Sequence, residues 1–187
     1  MRLSPPDPRT FSDRQRAIHE AIASGPRGGV RGPLAVWLHR PDLADRAQAL
    51  GAYCRYDTLL EPALSELAIL VTARVWSSEY EWAAHKPFAL KAGLTSEIID
   101  AIRDRRQPGF ADTRQACVYA VASELNATRF LSPATYDDAV ATLGEQALVD
   151  LIGILGYYTL ISMTINAFEV PAPEGATPEM TVGERAS

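Results

Sequence analysis

Ser65 to Leu94 reads SELAILVTARVWSSEYEWAAHKPFALKAGL, and the fold class turns on this stretch. A helix opens at Pro62, a residue suited to the first helical position. Leu64, Leu67, Ala68, Val71 and Val75 then recur at helical spacing on one side of it. Ser78 to Ala92 reads as a second helix, with Gly93 placed to follow its C-cap. Neither half shows the apolar–polar alternation of a half-buried strand.

The same signals continue outward. Thr10 or Ser12 can cap a first helix to Ala23, stopped by Gly25. Gly25 to Pro33 (GPRGGVRGP) reads as a flexible connector, because it lacks the GxxxxGK[ST] pattern of a phosphate-cradling loop. Pro41 starts a helix to Tyr53, and Thr95 caps one over Ser96 to Arg105. Asp112 caps one to Asn126, and Ser132-Pro133 opens one to Leu143. A long apolar helix covers Glu145 to Asn166. Cap and breaker signals therefore predict a single all-α domain of about eight helices. After Pro171 the chain turns to Pro, Gly, Glu and Thr, which pack poorly. That tail is expected to be disordered or laid across a neighbouring subunit.

Composition narrows the function classes. The chain has 187 residues, enough to bury a core without disulfides or a metal. Its net charge is -5, with no clustered basic run, so a nucleic-acid partner is not expected. Two scattered cysteines, Cys54 and Cys117, form no CxxC pair and fit a reducing, cytoplasmic setting. Met1 to Ser12 has no apolar core, so a secretory signal is not expected. Ala147 to Ile165 is apolar but carries Asp150, which a lipid-facing helix would be penalised for. No Lys or Arg cluster flanks it, so it reads as a buried or subunit-interface helix rather than a membrane anchor.

The candidate chemistry also sits in the opening stretch. Glu81 and His85 are four apart on one helix face, and Ser78 joins the stripe. A carboxylate beside an imidazole can hold its tautomer and tune it for proton transfer. The same spacing also occurs as a plain surface pair. Tyr80, Trp82 and Phe88 can wall a pocket. Glu66 is either a buried carboxylate or, more commonly for such a position, part of an exposed stripe. Arg74 can pair with Glu66 or Glu81, or bind a substrate carboxylate. His19 and His39 lack HxxxH or HxH partners, so no metal site is expected. No GxSxG nucleophile elbow is present.

Leu64 to Leu70, Ala73-Arg74, Glu79 to His85 and Ala92 to Leu94 together resemble the carboxymuconolactone decarboxylase family, of the AhpD-like helical superfamily. The likeness spans residues 30–171, leaving 1–29 as an N-terminal helix and connector and 172–187 as a flexible tail. It implies an AhpD-like helical bundle, a homo-oligomer (trimer or hexamer) and no cofactor. The redox branch uses a CxxC followed by His. Its cysteine positions fall on Ser78 and Glu81, its intervening His on Tyr80, its later His on His85 and its upstream Glu on Glu66. Both sulfurs are missing, and thiol–disulfide exchange needs them. The decarboxylase branch carries E-x-x-x-H, matched by Glu81 and His85.

The resemblance then implies acid/base chemistry on a small organic acid or lactone. His85 would be the acid/base, Glu81 its orienting partner and Glu66 a relay carboxylate. Ser78 or Tyr80 would donate to an enolate, Trp82 would line the pocket, and Arg74 would hold a substrate carboxylate. The alternatives are a lactone hydrolase or hydratase in the same pocket, or a homo-oligomer that binds a small ligand without turning it over.

Overall fold

Helix α4, Pro62–Val75, forms the centre of the fold, and each of its residues from Leu64 to Arg74 is buried. A helix buried on all sides must be surrounded by other helices, and this one is. It packs against α5 (Glu79–Lys91), α6 (Ser96–Arg103), α7 (Thr113–Thr128) and α9 (Glu145–Phe168). The computed structural model of the chain describes residues 1–180. Among these lie nine α-helices and no strand. The others are α1 (Asp13–Ser24), α2 (Pro33–Trp37), α3 (Pro41–Tyr56) and α8 (Pro133–Leu143).

The caps follow the sequence signals. Ser12, Thr95 and Ser132 each accept a hydrogen bond from the backbone N–H three residues on, and Asp112 from that of Arg114. One helix was not legible. α2 is a single turn inside the stretch after the connector, too short for a periodic pattern, and all five of its residues are buried. Packing holds it, with Trp37 Nε1 donating to Thr164 Oγ1 of α9 at 3.0 Å.

The α4–α5 corner positions the site. α4 ends in a Schellman turn: Ser77 N–H bonds the Arg74 carbonyl and Ser78 N–H the Ala73 carbonyl. Ser77 takes φ +47, a conformation more often given to glycine. The reversal lays α5 back along α4. Trp82, wholly buried, anchors α5 to the core, and burying such a side chain contributes roughly 2–3 kcal/mol. The helix continues through Pro87 on its exposed side, at the loss of one backbone hydrogen bond.

α9 has a long, apolar sequence by which it could cross a bilayer, yet 61% of its most apolar window is buried against the other helices. Asp150 accepts hydrogen bonds from the Tyr53 hydroxyl at 2.5 Å and the Leu59 N–H at 2.8 Å. These two donors satisfy a carboxylate that hydrocarbon would not. On the opposite side Val149, Ile152, Leu160 and Met163 are exposed.

The stretch after α9 does not leave the molecule within the described residues. It returns along α5, where the Glu79 carboxylate accepts from the backbone N–H groups of Glu179 and Met180. Glu179 in turn pairs with Lys86, and Met180 is buried. The expected tail over 172–180 is thus laid on its own chain, and the rest of it lies outside the described residues.

Candidate active site

His85 stands between two carboxylates from two helices. Its Nδ1 is 2.7 Å from Glu66 Oε2 on α4, and its Nε2 is 3.2 Å from Glu81 Oε2 on α5. Exposure is only 4% for His85, 7% for Glu66 and 5% for Glu81. Glu66 therefore takes the buried alternative, not the exposed stripe. It sits closer to the imidazole than Glu81, the partner four residues away on the same helix. The cause is tertiary: α4 is enclosed by its neighbours, and the reversal at Ser77 lays α5 alongside it so that His85 meets Glu66.

Burial by itself would lower the imidazole pKa. The hydrogen bonds from Glu66 and Glu81, with their charges, outweigh it and raise His85 to about 9. At neutral pH the ring is an imidazolium held by two carboxylates, poised to give a proton rather than to take one. The edge of Tyr158 meets its ring at 5.0 Å between centroids, and Tyr157 packs on Tyr158 at 5.3 Å. Burial pushes the Tyr157 hydroxyl up to about 12 and that of Tyr158 well above its ordinary value, so both stay protonated.

All three residues of the triad line a cavity of about 750 Å³. Tyr80, Phe88, Tyr157, Tyr158 and Ile161 give it apolar walls. Tyr80 approaches the connector closely because Gly32 has no side chain: a Cβ there would lie 2.3 Å from the Tyr80 ring. Arg27, Arg31, Arg55 and Lys91 also line the cavity. None of these four makes an ion pair among the described residues. The Arg55 guanidinium instead lies over the Phe88 ring, 4.7 Å from its centre.

Of the residues singled out in sequence, His85, Glu81, Glu66, Tyr80 and Phe88 meet in this cavity. Ser78, Trp82 and Arg74 do not line it. Ser78 is the N-cap of α5, its Oγ enclosed and without a partner. Trp82 is core, its Nε1 turned to Glu179 at 3.4 Å. Arg74 pairs with neither Glu66 nor Glu81; its Nε donates to the Arg103 carbonyl and its Nη1 to Ser77 Oγ. It braces the α4 corner against α6, which corrects the substrate-carboxylate role expected of it. The residues missed are Arg27, Arg31, Arg55, Tyr157 and Tyr158. Two arginines inside a glycine-rich loop were the available signal for the first two.

Both cysteines are buried and neither lines the cavity. Burial raises the Cys54 thiol to about 11 and the Cys117 thiol likewise upward, the reverse of an activated thiol. Among the described residues no group of three His, Cys, Asp or Glu side chains is arranged to hold a metal ion.

The family model described as carboxymuconolactone decarboxylase family matches residues 41–124. The match covers a little under half of the chain, and over it the sequence is similar to that family. The matched segment runs from the start of α3 into α7 and contains Glu66, Glu81 and His85. Arg27, Arg31, Tyr157 and Tyr158 stand outside it. Comparison with curated proteins gives no significant match.

Solved structures share the fold. A variant of the debrominase Bmp8 in complex with 2,3,4-tribromopyrrole is 11% identical, with a TM-score of 0.73 over 93% of this chain and 92% of that one. An alkylhydroperoxidase AhpD core, a peroxidase-related protein from Ralstonia eutropha JMP134, is 14% identical, with a TM-score of 0.73 over 95% and 97%. A protein of unknown function from Agrobacterium tumefaciens is 14% identical, with a TM-score of 0.65 over 76% and 99%. At these identities the likeness is one of fold.

Proposed function

We propose that this chain is a cofactor-independent acid/base enzyme acting on a small organic acid or lactone, with decarboxylation of a carboxylated lactone as the reference reaction. The observation that carries the reading is the Glu66–His85–Glu81 triad, buried and opening on a cavity of small-molecule size. In that decarboxylation the bond from carbon to the departing carboxylate breaks and carbon dioxide leaves. The electron pair passes into the conjugated lactone carbonyl as an enolate. The His85 imidazolium supplies the proton that carbon then takes, through Nε2, whose contact with Glu81 is the longer one. Glu66 keeps the ring oriented through Nδ1, and solvent returns the proton. Tyr80 is the hydroxyl on the cavity wall suited to the enolate oxygen, since burial keeps it protonated.

The same triad would serve a lactone hydrolase or hydratase. The likeness to the debrominase Bmp8 raises debromination as well; neither cysteine of this chain lines the cavity. The deciding experiment is turnover of a panel of unsaturated lactones and β-keto acids by the wild type and by His85→Ala. Turnover lost in the variant, and falling in the wild type as pH rises through about 9, is expected. Turnover that survives His85→Ala would sink the mechanism.

We also propose that the chain is a homo-oligomer that buries the outer side of α9. Val149, Ile152, Leu160 and Met163 are exposed there, and beside them Gly153 and Gly156 have open space where a side chain would be.

A further inference from the structure

The glycine-rich connector contributes a cation that the folded chain does not neutralise. Arg27 Nε and Nη2 are enclosed and have no hydrogen-bond partner, and the residue lines the cavity. An enclosed guanidinium without a carboxylate is costly, and natural folds pair such groups. Its seat is built for it. A Cβ on Gly51 would lie 2.6 Å from Arg27 Nη2 and 2.1 Å from the Tyr157 hydroxyl oxygen, so only glycine leaves room for both. Tyr157 joins this seat to Tyr158, whose ring meets His85. The arginine therefore lies two ring contacts from the imidazolium.

The surrounding charge points the same way. Arg31, Arg55 and Lys91 line the cavity unpaired, while its two carboxylates, Glu66 and Glu81, are both taken by His85. A chain of net charge -5 thus keeps a cavity with a surplus of positive charge. Low-dielectric walls concentrate that field on whatever occupies it.

We propose that Arg27 is the centre of an anion subsite, supported by Arg31 and Arg55. It holds a carboxylate of an unsaturated organic acid whose flat body lies along Phe88 and Tyr158. Two of its three arginines, Arg27 and Arg31, come from the connector before the matched segment, so the connector takes part in selecting the ligand. The inference rests on the acid/base reading only for calling the ligand a substrate; binding is testable without turnover.

Phthalate, cis,cis-muconate and uncharged benzamide are the probes, titrated calorimetrically into the full chain at low salt. At least one of the two dicarboxylates is expected to bind, more weakly as salt rises, and benzamide is not. Arg27→Gln should weaken that binding about ten-fold or more, the worth of one charge-assisted hydrogen bond. Arg46→Gln, a surface arginine outside the cavity, is the control and should change nothing. The proposal is overturned if neither dicarboxylate binds the wild type, if binding ignores salt, or if a folded Arg27→Gln binds as well as wild type. Dicarboxylate binding that needs Arg27, with no turnover of any substrate, would leave the subsite standing and remove the enzymatic reading.

Discussion

His85 makes the stability of this protein depend on alkaline pH in a defined direction. Its ordinary pKa is 6.5, and the folded value is raised to about 9. Between those values the folded chain keeps a proton that the unfolded chain has released. The stabilisation is therefore complete below pH 6.5 and is lost as pH rises through about 9. The span corresponds to about 3 kcal/mol of folding free energy, with a steepest slope of about 1.4 kcal/mol per pH unit. Denaturant unfolding across this window should show that loss. A carbon-13 label on the imidazole, assigned by its disappearance in His85→Gln, should titrate near 9. Glu66→Gln removes the negative charge of the 2.7 Å partner while keeping an acceptor oxygen. A hydrogen bond to a charged group is worth about 1–1.5 kcal/mol more than a neutral one, so the midpoint should fall by about one pH unit. The alkaline loss of stability should shrink with it. A wild-type His85 that titrates below 6.5, or a stability that stays flat or rises over the window, would refute the charged triad.

Other outcomes follow from the packing and the surface. Gly51→Ala should destabilise the fold and weaken anion binding together, although alanine favours helix by about 1 kcal/mol, because its Cβ would collide with Tyr157 and Arg27. Thermal unfolding and titration with a dicarboxylate check both effects. Trp82→Ala should cost about 3–5 kcal/mol in denaturant unfolding, as expected of a wholly buried core side chain. Val149→Lys combined with Met163→Lys should lower the mass seen by analytical ultracentrifugation while helical content is kept. An unchanged mass would remove α9 from the assembly interface.

The helices were largely legible because their signals are local. Ser12, Thr95, Asp112 and Ser132 cap where their side-chain chemistry places them, and Gly93 closes α5 with φ +100. α2 was not legible, because one buried turn carries no period. Glu81 and His85 were legible as a pair because four residues on a helix bring side chains to one face. Their distance from bulk water was not, since burial is decided by the helices that surround α4.

Residue order along α4 and α5 thus determined that this chain is helical, that it carries an E-x-x-x-H face and that its cysteines form no relay. Only the tertiary structure decided which charges act on that face. Glu66 lies nineteen residues from His85 in the chain and meets it because the Ser77 turn folds α5 back on α4. Arg74, close in sequence, is carried away to α6 by the same turn. Arg27, from a loop that reads as a connector, is brought in by a space at Gly51. Helical periodicity acts over a few residues and is written in their order. The partners of a buried charge are set by packing between segments far apart in the chain, which no local pattern encodes.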